Sequence, residues 1–227
     1  LTHFVAGVKR LLLKTFVIPN LGQWWYTESS ILTRNAMVLL KELTTPWTGH
    51  GFYPLVICGS AHKEGNTMHT VQDILGNVPM VHLCEQNIGP YHYESAHEED
   101  DFLPLIRLLI NHNPLVFATP VYWYCMSGRM KTFWDRITDL LYHHKELSAQ
   151  LRGKTAAVMV SSSGGKPDGF EMPFEKTFAY LKMNYAGCWD YVFPMEKHRD
   201  HNEWQKSLAL AQWNALKHHS LDVKQGD

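Results

Sequence analysis

From Tyr53 onward, short β-branched and apolar runs alternate with longer stretches of helical patterning, and this alternation constrains the fold more than any other feature of the chain. Strands separated by helices pair in parallel, because each connection must cross back over the sheet. Five runs qualify: Tyr53 to Gly59, Val78 to Cys84, Pro114 to Thr119, Thr155 to Ser161 and Cys188 to Phe193. Each is nearly continuously apolar, as a strand covered on both faces must be. Helices are predicted from Thr67 to Leu75, Glu99 to Asn111, Gly128 to Lys145, Phe174 to Met183 and Asn202 to His218. Pro173 suits the first turn of the fourth, and Trp204, Leu208, Ala211 and Leu216 form the predicted apolar stripe of the last.

The expectation is an α/β three-layer sandwich, a five-stranded parallel sheet of order 2-1-3-4-5 with helices on both faces. Such sheets bind ligands beyond the carboxyl ends of their strands, where the order reverses beside strands 1 and 3. The length of 227 residues suits one domain plus an extension. The domain is taken as residues 53–227. Residues 1–52 read as an extension with a basic helix near Gly7 to Leu13, an aromatic loop from Gly22 to Tyr26 and a helix from Ser29 to Leu43. Docking, exchange with a partner and disorder all stay open for it.

Three loops fall at that edge of the sheet. After the first strand stands Gly59-Ser60-Ala61-His62-Lys63-Glu64-Gly65-Asn66-Thr67, opening a helix. Hydroxyls, an amide, a glycine and free N–H groups at a helix N-terminus make a seat for a phosphate. The same residues also serve as ordinary helix caps in many proteins. No GxxxxGK[ST] or GxGxxG pattern is present, which disfavours a nucleoside triphosphate or a Rossmann-bound dinucleotide here. After the third strand, Pro120-Val121-Tyr122-Trp123-Tyr124-Cys125 places three aromatics in a row. Alternate side chains of a strand point to opposite faces, so they cannot all enter the core, and an aromatic wall beside a phosphate seat suits a planar ring with a phosphorylated tail. The fourth strand ends in Ser161-Ser162-Ser163-Gly164-Gly165-Lys166-Pro167-Asp168-Gly169, either a solvated linker or a loop whose glycines let backbone approach a ligand.

The first loop resembles the S-x-R-x-x-G-N-T phosphate loop of the NADPH-dependent FMN reductase family, NAD(P)H-dependent oxidoreductases of the flavodoxin-like superfamily. The string TPVYWYxMSGxMKxFxDR is similar to that family's second signature, and the resemblance runs from about Tyr53 to Phe193. It implies non-covalent FMN, with Ser60, His62, Gly65, Asn66, Thr67 and Met68 at the phosphate. Pro120, Val121, Tyr122, Trp123, Tyr124 and Cys125 are implied against the ring, and Ser161, Ser162, Gly164 and Gly165 beside it. His62 stands where the family has arginine, so phosphate binding is expected to be weaker or more pH-sensitive. Lys63 compensates only if it turns inward. Arg129, Lys131 and Asp135 read as helix-surface or subunit-contact residues, and Cys125 as an inert thiol.

The implied activity is hydride transfer from NADPH or NADH, through FMN, to a small acceptor such as a quinone, an azo or nitro compound, or free flavin. The chemistry lies on the cofactor, so no catalytic acid or base is required of the chain. A homodimer is implied as well. With 21 basic and 22 acidic residues the chain has no field to draw it onto nucleic acid or an anionic membrane. Nor does it have the acidic field expected of a single-electron carrier of the flavodoxin type. That carrier and a non-enzymatic flavin- or nucleotide-binding regulatory module are the rival readings. Cys58, Cys84, Cys125 and Cys188 form no CxxC pair, and no run of eighteen apolar residues or cleavage pattern occurs, so reduced thiols and a cytoplasmic location are expected. His92, His97, Glu98, Glu99, Asp100 and Asp101 lack metal-ligand spacing and read as solvated acids ahead of a helix, and no GxSxG elbow is present.

Overall fold

The computed structural model describes residues 52–93, 100–193 and 197–222. The two helices and the aromatic loop predicted before Phe52, and His97, Glu98 and Glu99, lie outside the described residues. Among the described residues there are six strands: β1 (Leu55–Cys58), β2 (Met80–His82), β3 (Leu115–Tyr122), β4 (Cys125–Met126), β5 (Thr155–Ser162) and β6 (Asn184–Val192). The helices are α1 (Asn66–Leu75), α2 (Phe102–Leu109), α3 (Gly128–Tyr142), α4 (Lys145–Ala149), α5 (Met172–Tyr180) and α6 (Arg199–Asp222). Five strands pair in parallel in the order β2-β1-β3-β5-β6, which is the expected 2-1-3-4-5 once the two-residue antiparallel β4 is set aside.

Residues of each strand alternate between two cores. Leu55, Ile57, Leu115, Phe117, Val158 and Val160 face α2, α3 and α5, where Phe102, Phe133, Ile137, Phe174 and Phe178 fill one core. Val56, Val116, Ala118, Ala157 and Met159 face α1 and α6, meeting Val71, Ile74, Ala209 and Trp213 in the other. Period-two alternation with both faces apolar explains why these runs looked uniformly hydrophobic in the sequence.

Several boundaries differ from the expectation for physical reasons. The third strand runs on to Tyr122 and turns back through Trp123 and Tyr124, both at positive φ (50° and 66°), into β4. A two-residue hairpin loop needs this conformation, but Asn-Gly or Asp-Gly normally supplies it. The fourth predicted helix ends at Tyr180 instead of Met183, because Lys182 adopts φ 57°. The Met183 N–H donates to the Phe178 carbonyl and the Lys182 N–H to that of Ala179, which is the Schellman stop built without its usual glycine. The last strand begins at Asn184 instead of Cys188, and a bulge at Gly187 (φ 117°) hid its early half. The third helix breaks after Tyr142 and resumes as α4.

The predicted stripe of the last helix is corrected. Leu216 does pack against the second core and Leu208 is half-buried, but Trp204 is 60% exposed and Ala211 is exposed, whereas Asn202, Gln205, Ala209 and Trp213 are buried. The inward face carries polar residues because β6 is an edge strand whose backbone needs partners. The Asn202 amide supplies them: its Oδ1 accepts the Val192 N–H at 2.9 Å and its Nδ2 donates to the Val192 carbonyl at 2.8 Å. Gln205 Oε1 accepts the Asp190 N–H at 3.2 Å.

Asp100 and Asp101 are likewise not solvated. Asp101 is buried and accepts the Asn87 N–H at 2.7 Å, while Asp100 pairs with Arg136, itself 1% exposed. Among the described residues no group of three or more His, Cys, Asp or Glu side chains is gathered as a metal site. Nor is any helix among the described residues long and apolar enough to cross a membrane.

Candidate functional site

Two adjoining clefts open at the carboxyl ends of β1, β3 and β5, sharing Val121, Ser162 and Ser163 in their walls. The first, of about 390 Å³, is lined by Ser60, His62, Gly65, Asn66, Thr67, Pro120, Val121, Tyr122, Ser161, Ser162, Ser163 and Phe193. The second, of about 360 Å³, is lined by Val121, Trp123, Tyr124, Ser162, Ser163, Gly164, Gly165, Lys166 and Pro167. Each falls within the roughly 300–1,000 Å³ of typical ligand pockets. Met68 and Cys125 are the predicted residues that the structure leaves outside both walls. Met68 is half-buried on α1, and Cys125 sits exposed on β4 beyond the turn.

The first cleft is built on close backbone approach. A Cβ on Gly59 would come within 2.9 Å of both Met130 Cβ and Ser127 Oγ, so only glycine lets the end of β1 reach the start of α3. Ser127 locks that junction. Its hydroxyl donates to the Gly59 carbonyl at 2.6 Å, its Oγ accepts the Met130 N–H at 3.2 Å, and its own N–H donates to Thr119 Oγ1 at 3.1 Å. Across the cleft floor, the buried Thr67 and Ser161 hydroxyls meet at 2.6 Å, tying the loop after β1 to the end of β5. Gly65 stands at the N-cap of α1 and offers no side-chain acceptor, and the first turn holds no acid, so the positive end of the helix faces the cleft.

Those features fit an anionic group. A Cβ on Gly65 would fill the hollow of the loop, 3.3 Å from the His62 carbonyl and 3.6 Å from Ser60 Oγ. Ser60 Oγ accepts the His62 N–H at 3.1 Å, which closes the turn. Lys63 does not turn inward: its Nζ pairs with Glu85 Oε1 at 2.8 Å, outside the cleft. His62 is therefore the basic residue lining this cleft among the described residues. Cys58, at the end of β1 beneath the loop, is buried, and that burial pushes its thiol up to about 11, which keeps it protonated and inert at neutral pH. All four thiols are free.

The second cleft lies under the hairpin tip. Tyr122 is 47% exposed, Trp123 92% and Tyr124 78%, so the row of aromatics is turned outward over the clefts and away from the core. The strand that carries them has its other end fully buried between β1 and β5, which fixes their position. Opposite them, the loop after β5 contributes Gly164 and Gly165. Of the wall residues absent from the sequence expectation, Ser163, Lys166 and Pro167 belong to the predicted loop. Phe193 was missed, because only the pairing of β6 beside β5 brings it to the cleft. Lys131 and Asp135 form an exposed ion pair at 2.5 Å on α3, as a helix surface pair does.

Comparison with known proteins gives a concordant picture. The sequence profile of the family described as NADPH-dependent FMN reductase matches residues 54–196. YwqN of Bacillus subtilis (strain 168), described as a candidate NAD(P)H-dependent FMN-containing oxidoreductase, is 32% identical over 146 residues, covering 58% of this chain and 80% of YwqN. Among solved structures, the Trp repressor binding protein of Bacillus subtilis superposes with a TM-score of 0.54 at 24% identity, over 70% of this chain and 96% of that one. RosB, solved with bound 8-demethyl-8-formylriboflavin-5'-phosphate, superposes with a TM-score of 0.64 at 12% identity, over 78% and 81% of the two chains. At these identities the two structures share the fold.

Proposed function

The chain belongs to the NADPH-dependent FMN reductase family and is an NAD(P)H-dependent FMN oxidoreductase of flavodoxin-like fold, and from that premise we propose that its two joined clefts form one flavin site serving a small-molecule acceptor. The observation that carries the proposal is their junction: the open N-terminus of α1 and the Ser60–Thr67 loop at one end, three successive aromatics at the other.

In this reading Ser60, His62, Gly65, Asn66 and Thr67 hold the FMN phosphate, with hydroxyls, backbone N–H groups and the helix dipole. Pro120, Val121, Tyr122, Trp123 and Tyr124 give the ring its apolar wall, and Ser161, Ser162, Gly164 and Gly165 let backbone approach from the opposite side. The chemistry supplied there when FMN is bound is acceptance and release of hydride, so the chain's own task is to bind, orient and exclude water. The open face beside Tyr122 and Trp123 admits NADPH or NADH and then the acceptor, a quinone, an azo or nitro compound, or free flavin. Sharing one face requires the donor to leave before the acceptor binds. Residues 53–227 constitute the flavin domain and residues 1–52 an extension, and two copies assemble as a homodimer in the cytoplasm.

The test is the visible spectrum of the purified protein, followed by anaerobic addition of NADPH and of NADH and then of each acceptor. A yellow protein bleached within milliseconds to seconds, with parallel-line steady-state kinetics, is the expected result. Colourless protein that takes up no FMN in a calorimeter would end this reading.

A further inference from the structure

The segment from Ser162 to Lys166 forms part of the wall of both clefts, yet its sequence, Ser-Ser-Gly-Gly-Lys, has little intrinsic preference for one shape. Gly165 sits at φ 86°, and the two ends are held from one direction by a single side chain. Asp190 on β6 is 5% exposed. Its Oδ2 accepts the Lys166 N–H at 2.9 Å and its Oδ1 accepts the Ser162 hydroxyl at 3.4 Å. His201 on α6 brings Nε2 to 3.6 Å from the same Oδ2. The Phe193 N–H closes the base of the loop on the Ser162 carbonyl at 2.7 Å. From the other direction the Lys166 ammonium pairs with Glu171, whose carboxylate also accepts the Tyr185 hydroxyl at 2.7 Å.

A carboxylate out of water is costly unless its lone pairs are engaged. The loop residues engaging this one are Ser162 and Lys166, both of which line the clefts. We propose that Asp190 is a positioning residue of the flavin site: by accepting from both ends of the Ser162–Lys166 segment, it fixes the wall shared by the two clefts without itself lining either. This rests on reading the two clefts as one flavin site.

The experiment uses the whole chain and the variants D190N and D190A, with FMN and riboflavin as ligands and amide hydrogen exchange as a local readout. D190N keeps one acceptor oxygen, so both flavins weaken about threefold; D190A strands the Lys166 N–H and the Ser162 hydroxyl, and both weaken about tenfold or more. Riboflavin follows FMN because the wall serves more than the phosphate. Exchange at the Lys166 amide accelerates in both variants while Val158 and Met159 in β5 stay protected, a separation that general destabilisation would not give. Wild-type flavin affinity in folded D190A, or loss of protection spread through β5, overturns the proposal. If D190A does not fold, the wild-type protein still decides, since a Lys166 amide exchanging at the rate of an open chain means that Asp190 does not hold the loop. A wild-type protein that binds neither flavin refutes the reading of the site, a result separate from the Lys166 exchange.

Discussion

On the proposed reading, His62 sets how well this site distinguishes FMN from flavin without phosphate, and replacing it gives a direct measure. The residues lining the first cleft include no lysine or arginine among those described, and Lys63 is engaged by Glu85 at 2.8 Å. On that reading the phosphate would rely on hydroxyls, backbone N–H groups, the helix dipole and the His62 imidazole. A hydrogen bond between charged partners contributes about 1.5–3 kcal/mol, and position 62 is exposed, so the lower end applies to a guanidinium placed there. His62→Arg introduces permanent charge and a two-pronged donor, and about 1.5 kcal/mol corresponds to roughly tenfold tighter FMN. His62→Gln replaces the imidazole with a neutral amide, and FMN weakens by about threefold. Calorimetric titration of each variant with FMN and with riboflavin checks this, because riboflavin lacks the phosphate and stays within about twofold of wild type throughout. Repeating the titration at higher salt shrinks the FMN gain, as screening requires. Equal shifts for both ligands, or an His62→Arg protein whose FMN affinity is unchanged, would show that His62 does not meet the phosphate.

Lys154 is 0% exposed, its ammonium donating to the His112 carbonyl at 2.9 Å, and desolvation pushes its pKa down to about 8. The unfolded chain holds that proton up to 10.5, so the stability offset is fully relieved only above pH 10.5 and returns as pH falls through 8, a swing of about 3 kcal/mol. Urea unfolding of wild type minus Lys154→Met between pH 7.5 and 10 shows it; the difference also cancels the opposing effect of the buried thiols, and a flat difference would refute it. Asn202→Ala strands both backbone groups of Val192 and costs about 3 kcal/mol, a fall in Tm of roughly 6–12 °C by thermal melting. Arg136 pairs with Asp100 and, at 2.6 Å, with Asp139, with its guanidinium 4.8 Å over the Phe102 ring. Arg136→Met leaves two carboxylates without their cation and costs roughly 3–5 kcal/mol in denaturant unfolding, most of it recovered when Asp100→Asn and Asp139→Asn are added.

The sequence determined what depends on neighbours along the chain. Uniformly apolar runs between helical stretches specified a parallel sheet and its order, since a buried strand shows its environment in every residue. The Ser60–Thr67 loop and the Pro120–Tyr124 row were legible because a helix start and a strand end are local events with local chemistry. Tertiary structure alone decided the rest. Lys182 and the Trp123–Tyr124 pair hold left-handed backbone without glycine, a strain held in place by the hydrogen bonds of the helix end and by the pairing of β3 with β4, which no short window reveals. Asn202 and Gln205 take inward positions of the last helix because the edge strand β6, 10 and 15 positions earlier in the chain, needs its hydrogen bonds met. Asp190 reaches the loop only through the pairing of β5 with β6, 28 positions from Ser162 and 24 from Lys166. A hydrogen bond across such a separation leaves no periodicity behind, because its free energy depends on where two segments meet in space, and the folded sheet sets that meeting place.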